Sequence, residues 1–259
     1  MTSSDYWQQL IEIMAALRAP DGCPWDREQD HETLKRYLIE EAYEVLDAIE
    51  NGQDREICDE LGDLLLQVVF HAQIAAEEGR FTIDDVVQGI SNKMIRRHPH
   101  VFSDANAEDA AAVLSQWEAI KSQEKSPGQK RRLMQVNQNL PALLLAQKVQ
   151  DKAARVGFDW PSAEGPWQKI AEELAELQAA QTPEQRREEL GDVIFSLVNL
   201  ARFLSLDSED ALRFTIRKFI KRFEYIEDKL AQKELAWSEA SLPLLEEAWQ
   251  EAKQHEANK

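Results

Sequence analysis

One arrangement occurs in each half of the chain: a Glu-Glu-x-x-Glu segment followed, a helix later, by Glu-Leu-Gly-Asp. The first copy is Glu40-Glu41-Ala42-Tyr43-Glu44 and then Glu60-Leu61-Gly62-Asp63. The second is Glu172-Glu173-Leu174-Ala175-Glu176 and then Glu189-Leu190-Gly191-Asp192. Residues three apart share a helix face, so Glu41/Glu44, Glu60/Asp63, Glu173/Glu176 and Glu189/Asp192 each point one way. Two such helices packed antiparallel bring four carboxylates around one point. Carboxylates so gathered repel one another and need a cation to compensate them.

The acids interrupt otherwise apolar helices. From Leu190 the apolar positions are Leu190, Val193, Ile194, Leu197, Val198, Ala201 and Leu204, a helical series. Phe195 and Leu200 widen that arc, leaving Glu189, Asp192, Ser196 and Asn199 as a narrow polar stripe. Leu61, Leu64, Leu65, Val68, Val69 and Ala72 repeat the pattern in the first half. Helices apolar nearly all round are expected in a core. Gly62 and Gly191 each cost about 1 kcal/mol in mid-helix relative to Ala, which suggests close approach of another helix or a ligand.

The repeat extends beyond the acids. Cys23-Pro24-Trp25-Asp26 precedes the first acidic helix and Gly157-Phe158-Asp159-Trp160-Pro161 the second. Lys93-Met94-Ile95-Arg96-Arg97 follows the first pair of acidic helices, and Lys218-Phe219-Ile220-Lys221-Arg222 follows the second. Each half then carries Trp-x-x-x-Lys, at Trp117–Lys121 and Trp249–Lys253. Gly and Pro are scarce, nine each, and no convincing strand alternation occurs. The fold class is therefore all-α with a duplicated helical module. The periodicity predicts helices over 4–18, 30–51, 53–79, 82–98 and 108–122, then over 141–156, 163–180, 183–205, 208–231 and 242–255. Thr182 before Pro183 and Ser208 before Glu209 read as N-caps. Domains are expected at 1–122 and 141–259. The polar stretch around Pro127-Gly128 makes 123–140 the linker.

A formal charge of −18 and a pI near 4.7 argue against nucleic-acid binding through a broad basic face. No apolar run approaches the ~18 residues of a spanning helix, and the polar N-terminus predicts no secretory leader. Two cysteines, Cys23 and Cys58, fit a reducing cytoplasm without a disulfide framework. No membrane partner is expected.

Ligation by Glu and Asp alone is hard-oxygen chemistry, suited to Mg²⁺, with Mn²⁺ possible, and poor for zinc. Lys218 and Arg222 are four apart on one helix face, a spacing that lets both reach one polyphosphate; Lys93 and Arg97 mirror them. Four acids, Mg²⁺, a Lys and an Arg match the charge of a nucleoside triphosphate. The metal would neutralise phosphate oxygens and acidify a bound water. A free acid beside the ligands, Glu172 or its counterpart Glu40, could take that water's proton. A single Glu-x-x-Glu in a chain with 30% charged residues is ordinary solvated surface; two copies inside apolar helices are not. Trp117, Trp160 and Trp249 are candidates for packing or for stacking a base. Only Glu28/His31 has the Glu-x-x-His spacing, where a ferritin-like di-iron bundle needs two such pairs.

These motifs, with Gly22–Asp26, Arg96–Phe102 and Val156–Trp160, carry a resemblance over essentially the whole chain to the bacterial MazG family of nucleoside triphosphate pyrophosphohydrolases. The resemblance implies an intertwined four-helix-bundle fold working as a homodimer. It implies Mg²⁺-dependent hydrolysis of NTPs and dNTPs to monophosphate and pyrophosphate. By the family motif Glu173, Glu176, Glu189 and Asp192 would hold the metal, and Lys169, Lys218, Arg222 and Trp249 would contact the nucleotide. The first half offers Glu41, Glu44, Glu60 and Asp63 with Lys93, Arg97 and Trp117. Two-domain relatives are expected to do most of their chemistry in the second domain. Pro99, which ends the first Lys/Arg helix just past Arg97, agrees with a first site that binds without turnover. The short connection between Glu176 and Glu189 would leave a small loop around Thr182–Arg187, with consequences for base selectivity. Two other readings stay open. One is a non-catalytic nucleotide sensor or partner-binding helical dimer with a structural metal. The other is a narrower phosphohydrolase, acting on one deoxynucleotide or releasing only the γ-phosphate.

Overall fold

Apolar periodicity of 3.6 residues, few breakers and capped starts make every regular element among the described residues a helix. The computed structural model describes residues 2–103, 109–124, 134 and 136–257. The chain divides into two compact units, Met1–Glu124 and Lys125–Lys259. Most of the linker expected over 123–140 lies outside the described residues.

The first unit contains α1 (Ser3–Arg18), α2 (Pro24–Glu28), α3 (Lys35–Asn51), α4 (Asp54–Glu77), α5 (Ile83–Arg97), α6 (Pro99–Phe102) and α7 (Ala110–Gln123). Helix α3 begins five residues later than the periodicity predicts. The Asp30 carboxylate accepts from the Glu32 and Thr33 amides at 2.9 and 2.8 Å and holds 30–34 in a turn. Helix α2 starts on Pro24, whose missing N–H costs nothing at a helix N-terminus. Two residues, Gly52 and Gln53, reverse the chain from α3 into α4, and Gly52 takes the left-handed φ of +69° that such a reversal needs. Met14, Leu34, Val69, Phe70 and Ile74 form the core, joined by Trp7, Leu17 and Tyr37. Arg18 ties it off: Nε and Nη2 donate to Glu77 at 2.9 and 2.7 Å, and Nη1 to the Asp26 and Gln29 carbonyls.

The second unit contains α8 (Ala142–Ala154), α9 (Glu164–Ala179), α10 (Pro183–Phe203), α11 (Ser208–Gln232) and α12 (Leu242–Ala257). Helices α9 and α10 form the counterpart of the α3–α4 hairpin, joined by Ala180–Thr182. Thr182 caps α10 in a capping box with Gln185. The loop expected around Thr182–Arg187 is therefore helical from Pro183 onward, and α9 is what shortens: Glu176 lies three residues from its end, Glu44 seven from the end of α3. The expected cap at Ser208 is displaced by one residue. The Asp207 carboxylate accepts the Asp210 amide at 2.9 Å, and Ser208 instead donates its amide and hydroxyl to Gln147. Ile226, Leu230 and Ala248 form a core between α11 and α12, with Leu244, Leu245 and Trp249 against it. Helix α8 packs on both α10 and α11.

One expectation holds only in part within the single chain. The acidic helices bury Val69, Phe70 and Ile74 in one unit and Val193, Val198 and Leu200 in the other, but Leu61 and Leu190 are half exposed, at 49% and 50%, and Leu65, Ile194 and Leu197 are also exposed. A Cβ built on Gly62 or Gly191 would meet nothing within 4 Å, so no other helix among the described residues comes into contact with either glycine. No helix among the described residues is long and apolar enough to cross a membrane.

Candidate functional site

The two helical hairpins bring their acids together. In the first unit one oxygen each from Glu41, Glu60 and Asp63 lies within 4.8 Å of the others. Glu44 stands outside this tightest group but shares a hydrogen bond with Glu41 and acts on Glu60. In the second unit two groups overlap: Glu173, Glu189 and Asp192, and Glu172, Glu173 and Glu176, each within the same 4.8 Å. Glu173 belongs to both and is the buried member, 4% exposed.

Crowding shows in the protonation equilibria. Desolvation, then the charges of Glu176, Glu173 and Asp192, pushes Glu189 above the ordinary carboxylate range. Desolvation followed by Glu44 and Asp63 does the same to Glu60. Glu41 is raised by desolvation, by its hydrogen bond to Glu44 and by the Glu44 and Asp63 charges. The donors are carboxylate oxygens only, and their excess negative charge is relieved by no histidine or thiol. That donor set fits a hard divalent cation.

The cations are distributed unexpectedly. Lys169 donates to Glu172 at 2.7 Å and pairs with Glu173 at 2.6 Å, so Glu172 is not the free acid that the spacing suggested. These two carboxylates raise the Lys169 ammonium above its ordinary value. The matching position in the first unit is Tyr37, set edge-on to Trp25 at 5.9 Å with Arg36 over its ring at 4.4 Å. One acid cluster thus holds an ammonium that the other lacks. Sequence reading missed this contrast, although four residues before Glu173 and before Glu41 it was there to be read.

Lys218 and Arg222 do not meet the acids in this chain. The Lys218 ammonium lies 5.1 Å from the Phe214 ring centre. Arg222 sits over Trp249 at 5.4 Å and donates from Nε and Nη2 to Glu256. Trp249 packs on Phe219 at 5.1 Å. In the first unit Arg97 lies over Trp117 at 5.3 Å and pairs with Glu124 at 2.5 Å, while Lys93 is exposed. Arg97 and Arg96 together hold the Glu124 carboxyl down at about 2. Glu124 and Glu256 were also missed; each stands seven residues after its tryptophan, a spacing visible in the sequence. Glu28 and His31 do not form a pair, because His31 Nδ1 meets His71 Nδ1 at 2.7 Å. Trp160 and Phe158 line a separate apolar cavity of about 450 Å³ with Phe195, Asn199 and Arg202.

The chain matches the family model of the MazG nucleotide pyrophosphohydrolase domain over residues 29–102 and again over 168–226. Both carboxylate sets and both Lys/Arg pairs fall inside those segments. It is 49% identical over 247 residues to the Thermotoga maritima nucleoside triphosphate pyrophosphohydrolase/pyrophosphatase MazG, covering 95% of each chain. Identity to the Escherichia coli K12 nucleoside triphosphate pyrophosphohydrolase is 44% over 255 residues, 96% of this chain and 97% of that one. An uncharacterised Bacillus subtilis protein, YabN, is 46% identical over 248 residues, which is 94% of this chain and 51% of the relative.

Proposed function

Since the chain belongs to the MazG nucleotide pyrophosphohydrolase family, we propose that it hydrolyses nucleoside triphosphates to the monophosphate and pyrophosphate with Mg²⁺, in the second unit. The observation that carries this is the cluster on α9 and α10, where five carboxylates gather and Lys169 pairs with two of them.

Glu173, Glu176, Glu189 and Asp192 would hold the metal through their oxygens. A bound Mg²⁺ supplies charge neutralisation on the phosphates and a more acidic water. Glu172, at the edge of the cluster, would take a proton from the water that bonds to phosphorus as the α–β anhydride bond breaks and pyrophosphate leaves, which requires its ion pair with Lys169 to open while Lys169 stays on Glu173. Lys218 and Arg222 bind polyphosphate oxygens, and Trp249, its ring already flanked by Arg222 and Phe219, meets the base or sugar at its remaining edge. The ionic contacts go to phosphate rather than to base or sugar, which supports action on NTPs and dNTPs alike. In the first unit Glu41, Glu44, Glu60 and Asp63 retain cation chemistry while Tyr37 removes the ammonium, which favours binding without turnover. The exposed apolar stripes of α4 and α10 favour a homodimer.

The test is product analysis on an NTP and dNTP panel with Mg²⁺. Wild type is compared with Glu60→Gln/Asp63→Asn and with Glu189→Gln/Asp192→Asn. Pyrophosphate is expected from wild type and the first variant, with a loss of at least about a hundredfold in the second. No pyrophosphate from wild type, or γ-phosphate alone, would sink the reading.

A further inference from the structure

Each unit holds an arginine between a tryptophan face and a carboxylate, an arrangement that the carboxylate clusters do not use. Arg222 lies 5.4 Å from the Trp249 ring centre, and its Nε and Nη2 donate to one oxygen of Glu256 at 2.8 and 2.6 Å. Arg97 lies 5.3 Å from the Trp117 ring centre, with Nη2 2.5 Å from Glu124. The acid follows the tryptophan by seven residues both times, two helical turns along one face. The two units differ elsewhere in their repeats, in the length of α9 against α3 and in Lys169 against Tyr37, so the recurrence of this trio is not mere sameness of the halves.

The geometry is that of an oriented guanidinium. A planar guanidinium carries five N–H donors in a rigid fork. In Arg222 the ring holds the plane and Glu256 takes the Nε/Nη2 edge. The Nη1 edge has no protein acceptor among the described residues. The side chain is largely buried, 16% exposed, which limits how far the fork can swing. A partly exposed ion pair of this kind contributes little to stability, so its stronger consequence is orientation.

We propose that Glu256 is a positioning residue: it locks Arg222 against Trp249 so that the open Nη1 edge meets a phosphate of the nucleoside triphosphate. The inference rests on Arg222 being a polyphosphate contact, as proposed above. Positioning by a carboxylate gives up some of the arginine's net charge toward phosphate in exchange for a fixed direction, which lowers the ordering entropy at binding.

A double-mutant cycle on the full chain tests it, with Glu256→Ala, Arg222→Ala and the pair assayed by pyrophosphate release. Glu256→Ala is expected to raise KM for the triphosphate roughly fivefold to tenfold, about 1–1.4 kcal/mol, with kcat within about twofold. Glu256→Gln should recover part of that loss, because its amide oxygen accepts the same two donors. In the Arg222→Ala background Glu256→Ala should add nothing. An unchanged or lowered KM in Glu256→Ala overturns the proposal, the latter by showing that the acid competes with phosphate. An undiminished effect in the Arg222→Ala background overturns it as well, by making the role structural. If wild type releases no pyrophosphate, the catalytic reading falls by itself, and the same cycle is read in Kd for a non-hydrolysable triphosphate analogue. Equal Kd values in wild type and Glu256→Ala would then overturn the positioning role.

Discussion

In the first unit His31 and His71 share a ring-to-ring hydrogen bond. Arg80 Nη2 lies 2.5 Å from His31 Nε2, so that nitrogen accepts, and His31 Nδ1–H then donates to His71 Nδ1 at 2.7 Å. The rings are nearly parallel, at 6°, with centres 5.0 Å apart, and so lie edge to edge. Burial first, then the His31 charge, pulls His71 below its ordinary value. A histidine so depressed contributes stability that is complete above the unfolded value near 6.5 and is lost as pH falls through the lower folded value. We therefore expect the thermal midpoint to drop as pH falls below about 6.5, and His71→Gln to flatten that slope; equal slopes in wild type and variant would refute it. Two histidines 40 residues apart carried no sign of this pairing. Their ring-to-ring contact depends on how α4 lies against the 30–34 turn, which no local pattern encodes. Lys169 differs, because i−3 and i−4 spacing to Glu172 and Glu173 is a helix-surface rule and makes that contact readable in advance.

Between elements, the α3–α4 and α9–α10 hairpins set the site, and their glycines report on what covers them. Gly191 is in mid-helix beside exposed Leu190 and Ile194, with open space where a Cβ would stand. In an uncovered helix Gly191→Ala would stabilise by about 1 kcal/mol. With a second copy seated on that face, the added methyl intrudes on the contact. Gly191→Ala is expected to shift mass from dimer toward monomer in sedimentation. An intact dimer with a higher midpoint would place the partner elsewhere. The longer helices were readable from 3.6-residue periodicity, whereas α2 and α6, of five and four residues, are too short to show a period and were missed. Ends were less readable: the Asp30 turn delays α3, and Asp207 outcompetes Ser208 as a cap because its carboxylate reaches the amide of the third helical residue.

For the molecule as a whole, each acidic helix leaves an exposed apolar stripe: Leu61, Leu65 and Val68 in one unit, Leu190, Ile194 and Leu197 in the other. Contiguous apolar faces of this kind mark interaction sites. A homodimer would bury identical stripes against each other and return the acidic helices to a core. The expected solution mass is therefore twice 29.7 kDa, and a monomer at micromolar concentration in light scattering would rule the dimer out.

Carboxylate spacing, helix type and duplication follow from the sequence by itself, because each rests on contacts within a few residues or on periodicity along one helix. The gathering of Glu173, Glu189 and Asp192 was legible for the same reason, once two short-connected helices are taken to pack antiparallel. Which groups the arginines and Lys218 meet, and whether the apolar face is covered, were decided only by tertiary structure. Arg222 finds Glu256 across 34 residues, and periodicity marks a face as apolar without saying whether the same chain or another one covers it.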